Sequence, residues 1–431
     1  MTSISRCTVL HKFLTFPSFK CLPSLKSGLC ARLGAIGLLL ITACASTSTQ
    51  TNSPEQQQSK PTEGSSNSYL IKATTKLSPS HMVGRKVVRV ALLAPFASSN
   101  PAIQNEALAL HNAAELALFE QGDSTMLLMP IDSGDTPESA RTAAIEAIRS
   151  GADFVLGPLF ASGVGAIAPY SRANNVAMFS FSTDISEAGR TIYVLTFLPE
   201  DEARNIVRYA GQRGIKRLIV LAPEGRYGDR VSTAARETAS AMGLKILVDQ
   251  RYDPRSSGLD SAIEASRRVA RMIGTGRENA ILIPERGPVL RSIVQTLTEA
   301  GASSRNVRYL GTGLWNDAEV LSDVRMEGAW FVTPDFGARA GFEARFNEAY
   351  QQKPTRLAGI AYDATAMLAR MTKGGNKSGA SPRAIEAPEG FSGVDGLFRF
   401  KAHVVERGMA VNEVVARRSK VVQEAPQSFL P

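Results

Sequence analysis

From Val87 onward, short apolar runs alternate with stretches whose apolar positions recur three and four residues apart. Val87–Leu93 reads as a strand stopped by Pro95, and Met126–Ile131 as a second. Between them, Ile103, Ala107, Leu110, Ala114 and Ala117 make one stripe of a helix over 102–119. Thr136 and Pro137 are an N-cap and first helical residue, and Gly151 closes the helix they open. Strands at Phe154–Leu156, Val176–Phe181 and Thr191–Phe197 follow. The rhythm restarts with a strand at Arg217–Leu221 and a helix from about Asp229 to Met242, then strands at Lys245–Val248, Ala280–Ile283 and Val307–Leu310. Apolar strands separated by helices imply parallel sheets covered on both faces. The predicted class is therefore α/β, with two doubly wound lobes and a break near residue 198.

The last third holds helices near 340–351 and 357–373, a polar glycine-rich loop (KGGNKSGASPRA), and a strand pair at Leu397–Phe400 and Val411–Ala416. A chain that returns to both lobes would use these pieces to complete them. The expected interleaving puts about 86–198 and 334–388 in lobe one, and about 199–333 and 389–425 in lobe two.

Charge and cysteine placement separate the N-terminus from this body. Residues 1–44 hold Arg6, Lys12, Lys20, Lys26 and Arg32, no acid, and all four cysteines (Cys7, Cys21, Cys30, Cys44). The formal net charge of +9 thus owes much to the leader, and no basic face of the nucleic-acid kind is implied. The body has no thiol, which suits an oxidising compartment. Leu33–Ala43 is an uncharged apolar run of 11 residues, too short to span a bilayer and suited to a signal segment. Its end, Ile41-Thr42-Ala43-Cys44, resembles a lipobox, which implies lipid attachment at Cys44 and cleavage before it. Ala45, rather than Asp, follows the cysteine and favours the outer membrane. Residues 45–85 are rich in Ser, Thr, Gln, Asn and Pro and read as a disordered tether.

Catalytic signatures are absent: there is no GxSxG, no GxxxxGK[ST] and no HExxH. His11, His81, His111 and His403 are scattered without ligand spacing, so neither metal nor cofactor is expected. The reading is of a binding protein, not an enzyme.

Four segments in order carry a resemblance: Gly151–Leu159 (GADFVLGPL), Lys216–Gly228 (KRLIVLAPEGRYG), Ala361–Ala364 (AYDA) and Phe391–Phe400 (FSGVDGLFRF). They resemble the type I periplasmic binding proteins of the leucine-binding family over nearly all of 86–420. The lipobox, Gly311–Asp317 (GTGLWND) and Arg407–Val414 (RGMAVNEV) are closest to a subgroup, the penicillin-binding protein activators. The resemblance implies a ligand held between lobes, with first-lobe hydroxyls on its carboxylate. The matching positions are Ser162 and the loop Ser180, Ser182, Thr183 and Asp184, with Tyr227 closing from lobe two and Trp315 walling the cleft. The same hydroxyls also suit helix or loop capping, and both aromatics suit core packing. Two partners follow from the two halves of the resemblance: a small amino-acid-like molecule for transport or sensing, or a cell-wall synthase contacted directly. The membrane is reached through the N-terminal lipid.

If Cys44 carries the anchor, Cys44→Ser should move the protein from the membrane fraction to the soluble fraction on cell fractionation. Retention of the variant with membranes, as for the parent, would refute the lipobox.

Overall fold

The computed structural model describes residues 69–74, 76–255 and 259–430. The signal segment with Cys44, and the stretch 45–68 of the expected tether, lie outside the described residues.

Lobe one begins with β1 (Val88–Ala94), α1 (Pro101–Gln121), β2 (Met126–Asp132), α2 (Pro137–Arg149), β3 (Phe154–Leu156), α3 (Ala161–Asn174), β4 (Ala177–Ser180) and β5 (Ile192–Val194). Its strands run parallel in the order β2-β1-β3-β4-β5. Every residue of β1 is buried, because helices cover both faces: α1 on one side, α2 and α3 on the other. Local chemistry sets the helix starts. The Asn100 side chain accepts the Ala102 N–H at 3.0 Å ahead of Pro101, and Thr136 with Ser139 forms a reciprocal capping box ahead of Pro137.

Lobe two follows with α4 (Pro199–Gln212), β6 (Arg217–Pro223), α5 (Arg226–Ala241), β7 (Lys245–Tyr252), α6 (Asp260–Ile273), β8 (Asn279–Leu282), α7 (Gly287–Glu299), β9 (Arg308–Gly311), α8 (Ala318–Ser322) and β10 (Trp330–Thr333). Its order, β7-β6-β8-β9-β10, repeats that of lobe one. Two apolar layers flank this sheet, one with α4 and α5 and one with α6 and α7. The chain then returns through α9 (Phe336–Tyr350), α10 (Ala358–Met371), α11 (Pro382–Ile385), β11 (Phe391–Gly393), β12 (Gly396–Lys401) and β13 (Val404–Arg407), and ends with β14 (Ala410–Val415) and β15 (Arg418–Gln423).

Two placements differ from the sequence reading. The stretch 391–407, expected in lobe two, extends the first sheet: β13 lies parallel to β5, and β12 and β11 add antiparallel beyond it. Phe398, Phe400 and Val405 enter the lobe-one core there, with Phe400 against Phe179 and Tyr193. Only β14 and β15 join lobe two, beside β10. The expected strand pair at 397–400 and 411–416 is thus divided between the sheets. The second difference concerns the tether, whose described end is fastened to lobe one. The Ile71 N–H donates to Asn174 Oδ1 at 2.9 Å, the rings of Tyr69 and Tyr170 meet edge-on, and Met82 is buried. Tyr69, Ile71 and Met82 supply the apolar area that the Ser- and Gln-rich stretch lacks.

The chain crosses between lobes after β5, after β10 and after β13, and a cluster of buried charges, Arg407, Asp363 and Asp395, lies beside these passages. Arg407, 3% exposed, donates from Nε to the Thr196 carbonyl at 3.2 Å, beside the first crossing. Its guanidinium lies between the rings of Phe197 (4.8 Å) and Phe398 (5.4 Å). Its charge faces Asp363 of α10, 3.7 Å away, whose other oxygen takes the Val394 N–H at 2.7 Å. Asp395 is buried beside them and pairs at 2.7 Å with Arg339, one turn into α9 and hence next to the second crossing. Burial pushes the Asp363 carboxyl up to about 7, with Asp395 adding to the shift and Arg407 opposing it.

The folded-state pKa of Asp363 therefore stands above its ordinary value of 3.8. The folded form holds this proton more tightly than the unfolded chain. Its contribution to stability is complete below about pH 4 and is lost as pH rises through about 7. Denaturant unfolding should accordingly show stability falling between about pH 4 and pH 7, and Asp363→Asn should flatten that fall. Equal slopes in parent and variant would remove Asp363 as its origin.

Candidate functional site

In a doubly wound sheet, ligands sit outside the carboxyl ends of the strands, where the order reverses. Both lobes have this order, and their strand ends face one another across a cleft of about 630 Å³. Leu159–Ala161 follow β3, Phe181–Asp184 follow β4, and Thr196 and Phe197 follow β5. Arg226, Tyr227 and Arg230 come from the start of α5 after β6, Leu314 from the turn after β9, and Arg356 and Leu357 from the join of α9 to α10.

Two glycines make these edges possible. Gly157, just past β3, has φ +91°, and a Cβ there would lie 2.2 Å from the Leu93 carbonyl oxygen. At Gly228, in the first turn of α5, a Cβ would lie 1.9 Å from the Pro223 carbonyl oxygen. Each glycine lets a helix start press against a strand end, which fits their places in the GADFVLGPL and KRLIVLAPEGRYG segments.

The loop after β4 is held by its own side chains. Ser180 Oγ accepts the Ser182 N–H, Ser182 Oγ accepts the Asp184 N–H, each at 3.1 Å, and Asp184 accepts the Ser186 N–H at 3.0 Å. Ser180 is fully buried and does this alone; it does not line the cleft. Ser182 and Thr183 do line it, and Ser182 still has its hydroxyl proton to donate. Ser162 is exposed on the first turn of α3, beside the lining residues Phe160 and Ala161 but outside the cleft wall.

On the lobe-two side, α5 begins at Arg226, earlier than the sequence pattern predicts, so Tyr227 lies in its first turn and lines the cleft. The Tyr227 hydroxyl is buried near Thr312, without a hydrogen bond of good geometry, and burial raises its pKa. Trp315 does not wall the cleft. It is fully buried in the lobe-two core, its indole N–H donating to the Glu285 carbonyl at 3.0 Å, with Gly311 lying against its ring. The short turn after β9 points Leu314 to the cleft and Trp315 inward.

Of the charges that span the cleft, sequence reasoning named Asp184 but not the pairs it and Glu202 form. Arg226 of lobe two reaches Asp184 of lobe one at 2.7 Å, and its hydrogen bond holds that carboxyl down at about 2. In the other direction, Arg356 of lobe one reaches Glu202 of α4 at 2.7 Å. Glu202 also takes the Gly313 N–H at 3.2 Å; burial nonetheless raises its pKa, with Arg356 opposing. Arg230 pairs with Glu200 within lobe two at 2.5 Å. Each charged group on the cleft wall therefore has a protein partner. The unassigned polar capacity is hydroxyl: Ser182, Thr183, Thr196 and Tyr227. The remaining wall, from Phe160, Phe181, Leu314 and Leu357, is apolar.

Among solved structures, a putative branched-chain amino acid ABC transporter from Rhodospirillum rubrum is 17% identical, with a TM-score of 0.66 over 78% of this chain and 100% of that one. The leucine binding protein LivK from Thermotoga maritima is 18% identical, with a TM-score of 0.56 over 79% and 99%. These likenesses establish the fold. Curated relatives are named penicillin-binding protein activator LpoA. The one from Enterobacter sp. strain 638 is 26% identical over 159 residues, 36% of this chain and 20% of the relative. That of Escherichia coli K12 is 26% identical over 125 residues, 29% and 18%. The chain thus matches about one fifth of the length of these relatives. A sequence model of the periplasmic binding proteins matches residues 87–419, and the chain belongs to that family, with the type I fold.

Proposed function

We propose that this protein is a non-enzymatic, lipid-anchored periplasmic binding protein, held at the envelope through Cys44 and capturing a small amino-acid-like molecule between its lobes. The observation that carries this reading is the cleft: about 630 Å³, within the range of small-molecule sites, with hydroxyls from one lobe facing an aromatic from the other. Because the wall charges are already paired, the ligand is held by hydroxyls and apolar contact. A charged ligand end competes for one of the cross-cleft pairs.

A second reading is favoured by the curated relatives. Contact with a penicillin-binding protein, as the relatives' name implies for them, needs no competent cleft. In that reading the two cross-cleft pairs fix the lobes as one docking body. Outer-membrane sorting from Ala45 favours this reading, since an importer sits in the inner membrane.

Calorimetry across a panel of amino acids and small peptides distinguishes the two. Thr183→Ala should weaken the ligand about tenfold to a hundredfold, since a hydrogen bond to a charged group contributes roughly 1.5–3 kcal/mol. Thr183 is exposed and makes no side-chain hydrogen bond among the described residues, so its stability should not change. Ser182→Ala should weaken binding similarly but also destabilise by about 1 kcal/mol, through the lost Asp184 N–H bond. Absence of binding to the parent, together with co-purification of a cell-wall synthase, would overturn the ligand reading in favour of the second.

A further inference from the structure

The cleft lies at the carboxyl ends of the lobe-one strands. At their amino ends, two open grooves of about 590 and 580 Å³ meet at Lys377 and Ser378. The first is lined by Lys86 and Arg89 at the start of β1 and by the loop from Gly374 to Ser378. The second adds Asp153 before β3, Asn175 before β4, and Arg190 and Tyr193 around β5. The glycine-rich loop seen in the sequence is fixed here: a Cβ on Gly375 would lie 2.1 Å from the Lys86 carbonyl oxygen.

Four cations line the joined grooves against one carboxylate. Asp153 is already engaged, with Lys377 Nζ on one oxygen at 2.6 Å and the Arg89 backbone N–H on the other at 2.9 Å. Arg89 is the unusual member. It is 7% exposed, and its guanidinium meets only the Ser78 hydroxyl (2.7 Å) and the carbonyls of Lys76 and Leu77 (3.4 Å each). Its Nε has no partner, and no carboxylate among the described residues lies within ion-pair reach. A buried charge ordinarily requires an opposite charge. Lys86 and Arg190 likewise have no ion-pair partner among the described residues, and the buried Tyr193 hydroxyl has no hydrogen-bond partner.

The first described residues arrive at this same pole. Asn174, next to the groove residue Asn175, donates to the Tyr69 carbonyl at 2.8 Å. Cys44 stands 25 residues earlier, at most about 85 Å of chain.

We propose that these joined grooves bind phosphate, with Lys86, Lys377 and Arg190 at the rim and Arg89 as the buried counter-charge. The site is separate from the cleft and independent of what the cleft holds. Phosphate reaches it either as a lipid headgroup or as a free phosphate ester.

Lysine acylation followed by mass spectrometry tests this on the full protein purified from its envelope. The protein is held in phosphate-free alkyl maltoside micelles, in such micelles containing phosphatidylglycerol, or in such micelles with millimolar glycerol 3-phosphate. Lys86 and Lys377 should react several-fold more slowly with either added phosphate source, while exposed Lys216 of lobe two keeps its rate. Protection by the glycerophospholipid alone identifies a headgroup site; protection by glycerol 3-phosphate identifies a free-ester site. Arg190→Gln, at an exposed position, should reduce the protection, and 0.5 M salt should abolish it. Unchanged Lys86 and Lys377 rates with both sources would overturn the proposal, as would equal slowing of Lys216.

Discussion

Arg407 ties the first crossing to lobe one because its guanidinium has nowhere else to go. It is enclosed by two aromatic rings, a carbonyl of the first crossing and a carboxylate of α10. Breaking a buried pair by removing one partner typically costs about 3–5 kcal/mol, since the remaining charge is stranded. That cost holds the first and third crossings together in one joint, with the Arg339–Asp395 pair beside the second. Asp363 and Asp395 crowd two carboxylates beside it, and the Asp363 carboxyl is raised in consequence. The joint thus combines strong geometric constraint with a group that changes charge near neutral pH.

The cleft is built on the opposite principle. Its cross-lobe pairs join partners of unequal burial: the Arg226 side chain is 78% exposed while Asp184 is 19%, and Arg356 is 42% while Glu202 is 7%. An exposed arginine exchanges a carboxylate for water at little net cost, and such pairs contribute at most about 1 kcal/mol. Glu202 keeps the Gly313 N–H when Arg356 leaves, and Asp184 keeps the Ser186 N–H when Arg226 leaves. Each carboxylate is thereby partly provided for in an open state. The lobes can separate at the cleft while the joint behind it stays intact, which is the mechanical requirement for hinge closure on a ligand.

The alternation of strands and helices was legible because burial on both faces leaves nearly continuous apolar runs, as at β1 and β6. What periodicity cannot report is which sheet an edge strand joins. β12 and β14 have similar patterns, yet Phe398 and Phe400 complete an aromatic cluster with Phe179 and Tyr193 in lobe one, while Val411 packs in lobe two. Nor does an aromatic's identity say which way its turn points: Leu314 lines the cleft while its neighbour Trp315 fills the lobe-two core. Glu202 and Arg356 lie 154 positions apart, beyond any local pattern. The serine loop was found, but its division of labour was not: Ser180 serves the backbone, while Ser182 and Thr183 face the cleft. Only the hydrogen-bond geometry separates those roles.

The strand polarity that creates the cleft also creates the opposite pole, and the two ends differ electrostatically. Helices α2, α3 and α10 end at that pole, and helix carboxyl ends carry partial negative charge that attracts cations. Arg149, Arg172 and Arg370, each in a last helical turn, are accounted for in this way. Arg89 is not, since it stands on a strand, buried, with neutral partners only. Lys86 precedes that strand and Arg190 lies in a loop at a left-handed φ of 54°, with its carbonyl held by His403. The cations that helix ends do not explain are the ones that line the joined grooves. Helix dipoles therefore account for part of the basic character of this pole, and the remainder is the charge proposed to take phosphate.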